Sequence, residues 1–211
     1  MRSTRKYFMI AVIGVLVSCA TLPENTQREV STGFPDTHDT GIGRLVQAEM
    51  QMHPGESGCL LLGNGLDAFV ARVLLAKQAE RSIDTQNYMI HDDVVGSLFV
   101  DQLNKAAERG VRVRLLVEDI DQEGRHVGTA TLDIHPNVEV RIFIPFAQNT
   151  GRIRQYVTGF GKQTRRAHNK SFTVDNQATI LDVRNIGDEY FEADPTLAYV
   201  DLDVLAAGPV R

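Results

Sequence analysis

A chain of 211 residues, 43% of them hydrophobic, can bury one sizeable core or at most two small ones. Its formal net charge of -5 and pI near 5.7 argue against a surface given over as a whole to nucleic acid, so any anion site must be local.

Arg2, Arg5 and Lys6 precede an apolar run at residues 7–17, too short to span a bilayer, which takes about 20 apolar residues. Residues 1–19 therefore read as a signal peptide. The segment "LVSC" at 16–19 resembles the bacterial lipobox, which implies lipid on Cys19 and a membrane-anchored lipoprotein of the bacterial cell envelope, facing the periplasm. Ala20 does not resemble an inner-membrane retention signal, which leaves the outer membrane as a destination. With Cys19 lipidated, Cys59 has no intramolecular partner and, beside Leu60, Leu61 and Leu62, reads as a small buried thiol.

Residues 20–57 are rich in Thr, Gly, Pro and charged groups and lack a sustained apolar period, so they read as a tether and lead-in. The domain is expected over 58–211. Helical spacing of apolar residues covers 66–80, and "SIDTQNYMI" at 82–90 alternates like a half-buried strand. Asp92 or Asp93 can cap a helix that runs to Arg109 and stops at Gly110. His91, Asp92 and Asp93 thus read as a turn and cap rather than a metal cluster.

"VRVRLLVED" follows as a strand with Val111, Val113, Leu115 and Val117 on one face, then a polar loop at 119–128, a short helical piece and the strand "VEVRIF" at 138–143. Strand-helix-strand units of this kind predict an α/β fold with a mixed, largely parallel sheet flanked by helices, with ligands at the carboxyl ends of the strands. From residue 145 to 170 there is no Asp or Glu, while Arg152, Arg154, Lys162, Arg165, Arg166 and Lys170 make a local positive field. Arg165 and Arg166 are its candidate substrate contacts.

"HNKSFTVDNQATILDVRN" at 168–185 reads as a hairpin turning at Asn176 and Gln177. In that register Asp175 faces Ala178, and His168, Lys170 and Phe172 pair with Asn185, Val183 and Leu181 on one face. Val183 would then crowd Lys170 while Asp182 points away, so replacing both by glycine is expected to raise phosphate-analogue affinity. A neutral imidazole can attack phosphorus, and a lysine and an asparagine amide can donate to the non-bridging oxygens where charge gathers. Asp175, on the opposite face, reads as structural.

His168, Lys170, Asp175 and Asn185 together resemble the HxKx4D...N motif of the phospholipase D superfamily, and "QNYMIHDDVVGSLFVDQLNKAAERGVRVRLLVEDID" and "RNIGDEYF" resemble bacterial cardiolipin synthases of that superfamily. The resemblance covers roughly residues 58–208 and implies a catalytic set of His168, Lys170 and Asp175. His168 would be the nucleophile, with Lys170 and Asn185 as phosphate ligands. It implies a phosphohistidine intermediate, phospholipid as substrate, transfer of a phosphatidyl group to another lipid or to water, and no metal or organic cofactor. Members usually carry two such motifs; this chain carries one, and has Asp182 and Val183 where they have small residues. It is thus expected to be an N-terminal half only, truncated or completed by a second half or second copy. Three readings stay open: a phosphatidyltransferase half, a homodimeric nuclease-like phosphodiesterase, and a silent fragment that binds anionic headgroups. The acidic balance and apparent anchor speak against nucleic acid.

Overall fold

Alternation along the central strands decides how the sheet is buried. In the computed structural model, which describes residues 30–118, 132–145 and 166–208, β3 (Arg112–Glu118) buries Val113, Leu115 and Val117, the face expected from the pattern. β2 (Ser82–Asn87) lies parallel to it and β4 (Val138–Phe143) lies parallel on its far side. The hairpin strands β5 (Ser171–Val174) and β6 (Ala178–Leu181) run antiparallel beside β2, followed by β7 (Asp203–Ala207) and the edge strand β1 (Gly58–Leu62). The order is β1-β7-β6-β5-β2-β3-β4, a mixed sheet whose parallel pairing is confined to β2, β3 and β4. These elements belong to one unit, Ser31–Ile144 with Arg166–Arg211.

Helix α2 (Gly65–Gln78) is capped by Asn64, whose side chain accepts from the Asp67 amide at 3.0 Å. Helix α3 (Val94–Glu108) is capped by Asp93, which accepts from the Gly96 amide at 2.8 Å, and it ends before Gly110 at φ +92, a conformation that suits glycine. The expected turn and cap are therefore in place. α3 buries Val95, Phe99, Leu103 and Ala106, and the Phe99 ring meets Phe172 of β5 edge-on at 5.9 Å. Burying a side chain the size of Phe172 contributes about 2 to 3 kcal/mol and holds β5 in the core.

An element that the composition of the lead-in hid is helix α1 (Gly41–Met52), whose cap Thr40 accepts from the Gly43 amide at 3.0 Å. The chain before it packs on the turn of the hairpin. The Asn176 side chain donates to the Phe34 carbonyl at 3.2 Å, Gln177 donates to the Thr37 hydroxyl at 2.8 Å, and that hydroxyl donates to the Asp175 carbonyl. The Arg112 guanidinium sits 3.8 Å from the centre of the Phe34 ring. Cys59, expected to be buried, is exposed instead, because β1 is an edge strand along which Gly58 through Leu61 are all exposed.

Candidate active site

The register of the hairpin differs from the expected one by a single residue. Val174 pairs with Ala178 and Phe172 with Ile180, across a three-residue turn in which Asp175 (φ 50) and Asn176 (φ 51) are both left-handed. Asp and Asn tolerate that conformation, and the Gln177 amide closes the turn on the Val174 carbonyl at 3.0 Å. One residue of slip exchanges faces. Lys170 therefore stands opposite Asp182, whose amide donates to the Lys170 carbonyl at 3.1 Å. The Asp182 carboxylate is directed inward and Val183 is 53% exposed, the reverse of the expected arrangement. The crowding of Lys170 by Val183 falls with that register.

His168 and Lys170 come together at the entrance to β5. Lys170 continues the inward face of Phe172 and Val174 and is 7% exposed, while His168, two residues earlier, is exposed. The lysine Nζ lies 3.1 Å from His168 Nε2 and 3.5 Å from Nδ1, so an ammonium can donate to the imidazole lone pair. Tyr88, just past the carboxyl end of β2, holds both: its ring meets the His168 ring edge-on at 4.6 Å, and Lys170 Nζ sits 5.5 Å from its centre. Burial pulls the Lys170 ammonium below its ordinary pKa, and the carboxylates of Asp201, Asp182 and Asp203 oppose that shift. The site thus lies where the carboxyl ends of the parallel strands were expected to place it.

Arg166 fixes the approach to this pair. Its guanidinium bonds the Glu118 carboxylate at 2.6 Å at the end of β3, and the same carboxylate accepts the Ala167 amide at 3.0 Å. Glu118 is 1% exposed, so this is a buried ionic anchor for the strand entrance. Arg165, Cys19, the loop at 119–128 and most of the basic run lie outside the described residues.

Asn185 is 6% exposed and stands just before Ile186, which bridges Ile90 in parallel. Its Nδ2 contacts the Tyr190 hydroxyl at 2.7 Å, and its Oδ1 is buried with no hydrogen-bond partner among the described residues. Tyr88 beside His168 and Met89 bonded to Ile186 belong to one short segment, which brings Asn185 to the same region of the molecule as His168 without direct strand pairing. Burial first of all raises the pKa of Tyr190, so its hydroxyl keeps its proton.

Asp175 sits in the hairpin turn. It is fully buried, and its carboxylate accepts the amides of Glu80, Arg81 and Ser82 at 3.1, 2.8 and 2.9 Å. These bonds make it a clamp that ties the hairpin turn to the start of β2. His91, Asp93 and Glu189 offer ligand atoms within 4.8 Å of one another and are the group that could hold a metal ion among the described residues. Asp93 already serves two backbone amides there, at Gly96 and Asp188, both at 2.8 Å.

Sequence reasoning missed a buried charge cluster behind the site. Arg72 of α2 pairs with Asp182 at 2.7 Å and Asp203 at 2.9 Å, and Arg184 pairs with Asp203 at 3.0 Å, with all four side chains 1% exposed or less. The signal was present in α2, where Arg72 interrupts the buried stripe of Ala68 and Ala76.

Residues 74–195, more than half of the chain, match the family model described as the phospholipase D-like domain of cardiolipin synthase. The chain belongs to the phospholipase D-like family. It is 48% identical over 170 residues to cardiolipin synthase C of Escherichia coli (strain K12), a match that covers 79% of this chain and 36% of that protein. An uncharacterized protein of Helicobacter pylori (strain ATCC 700392 / 26695) is 37% identical over 177 residues, covering 83% of this chain and 35% of the relative. This phospholipase D-like chain therefore spans about a third of the length of the curated relatives it matches. The crystal structure of phosphatidylserine synthase from Haemophilus influenzae Rd KW20 shares the fold, with a TM-score of 0.53 at 12% identity over 77% of this chain and 38% of that one.

Proposed function

We propose that the chain supplies a phospholipase D-type half-site that cleaves or transfers phosphodiesters of phospholipids, with His168 as nucleophile. The observation that carries this reading is the buried Lys170 ammonium 3.1 Å from Nε2 of an exposed histidine. His168 Nε2 attacks phosphorus, the bond from phosphorus to the leaving oxygen breaks, and the phosphoryl group rests on the imidazole as a phosphohistidine. A lipid hydroxyl or water then attacks phosphorus and passes its proton to the group that protonated the leaving oxygen, the phosphorus–nitrogen bond breaks and the imidazole returns.

Lys170 balances charge on a non-bridging oxygen. Asn185 adds a second contact when the Tyr190 hydroxyl donates to Oδ1, an orientation equivalent at the level of heavy atoms that leaves the amide N–H pair for the phosphate. The leaving oxygen takes its proton from a group outside this motif, which a second half or a second copy of the chain provides. The relationship to cardiolipin synthase favours a phosphatidyl group as the portion transferred. Lipid on Cys19 would hold the domain at a membrane of the bacterial envelope.

The test is a phosphatidyltransferase and phospholipase assay of the detergent-solubilised protein on phosphatidylglycerol, beside the His168→Ala variant. Product formation that disappears in the variant supports the reading. Turnover that persists unchanged overturns it.

A further inference from the structure

We infer that Asp182, seated against Arg72 on the Lys170 face of the hairpin, is a specificity-determining charge that opposes capture of an anionic diester at Lys170 and makes that capture pH-dependent. The inference rests on the phosphodiester reading of the site. Asp182 stands directly across the ladder from Lys170 and bonds its carbonyl through the backbone amide at 3.1 Å, so the two side chains share a face. Its carboxylate is 1% exposed, so solvent screens it little.

The charged groups around it are few and known. Arg72 reaches it from α2 at 2.7 Å, Asp203 faces it from β7 and Asp201 lies near Lys170 just before that strand. Arg184 is occupied by Asp203 at 3.0 Å. Asp182 has one guanidinium partner, Arg72, which it shares, whereas Asp203 has both Arg72 and Arg184, so Asp182 is the less compensated of the two carboxylates. Asp182 is also the carboxylate of this cluster that gives way first on acidification: burial raises its pKa to about 6, whereas Arg72, the Val183 amide and Arg184 together outweigh burial at Asp203 and lower its pKa. At neutral pH a negative charge therefore faces the ammonium that is to receive a phosphate. Below about pH 6 that charge is removed, and the diester meets Lys170 without it.

The test is calorimetric titration with a short-chain, water-soluble phosphatidylglycerol, a monoanion over the whole range, from about pH 5 to about pH 8. The Asp182→Asn variant is expected to bind about threefold to tenfold more tightly than wild type at the alkaline end, and the ratio is expected to fall toward one at the acid end. Contributions common to both proteins cancel in the ratio. In a His168→Ala background, with Asp182 untouched, affinity should still rise as pH falls through about 6. A ratio of one throughout, a ratio that does not change with pH, or a flat profile in the His168→Ala background overturns the inference. Loss of binding in Lys170→Met places the ligand in this site. Binding that survives Lys170→Met, or no binding by any of the proteins, overturns the phosphodiester reading and this inference with it.

Discussion

At the entrance to β5 an exposed imidazole meets a buried ammonium, and strand alternation alone does not produce that contrast, since His168 and Lys170 are two residues apart. The segment leaves the ladder at Lys170, and the Glu118 anchor on Arg166 and Ala167 turns it outward before His168. If Lys170 stabilises the transition state through charge, Lys170→Met should lower turnover by about 10²- to 10³-fold with the fold intact, measured by initial rates and circular dichroism. Asp175 should behave in the opposite way. Asp175→Ala orphans the buried amide of Ser82 and the part-buried amides of Glu80 and Arg81 and is expected to cost about 3 kcal/mol in urea unfolding, with loss of activity that follows loss of fold. The motif residues were visible as letters in the sequence, but their division into reacting and clamping groups was half legible. Alternation set Asp175 on a strand face opposite His168 and Lys170, whereas the structure places it in the turn, and Tyr88 and Tyr190 looked like ordinary aromatics because what they touch is remote in sequence.

Helix α2, the entrance to β5 and strands β6 and β7 meet at the Arg72, Asp182, Asp203 and Arg184 cluster, and their stability should carry its titration. Asp182 is raised from 3.8 to about 6 in the folded protein, so it holds its proton more tightly folded than unfolded. Its contribution is greatest below 3.8 and is lost as pH rises through about 6, whereas Asp203, lowered, contributes above 3.8 and is lost on acidification below it. Between about pH 4 and pH 7, wild type should lose up to about 3 kcal/mol relative to Asp182→Asn in urea unfolding; a constant difference would contradict this. α2, α3, β3 and β4 were legible because each carries its own period or cap. The hairpin register was not, since it turned on whether Asp175 and Asn176 would both adopt positive φ, and one residue reversed the parts played by Asp182 and Val183. β1 and β7 escaped notice because their pairing joins residues far apart in the chain and β1 exposes nearly all of its side chains.

For the molecule as a whole, the class of fold followed from the strand-helix-strand order, and the family from four residues at fixed spacing together with two flanking stretches. One motif supplies one nucleophile, and the proposed mechanism needs a proton donor from elsewhere. If a second copy provides it, specific activity should rise with protein concentration and level off as pairing saturates, whereas constant specific activity on tenfold dilution, about 1.4 kcal/mol in association free energy, would show that one chain suffices.

The central claim, that His168 carries the phosphoryl group, is tested most directly by quenching the protein in alkali during turnover of phosphatidylglycerol and measuring the mass of the peptide that contains residue 168. The account predicts a phosphatidyl adduct on His168 that is lost on acid treatment and absent from His168→Ala. Turnover with no adduct, or an adduct retained in that variant, would contradict it.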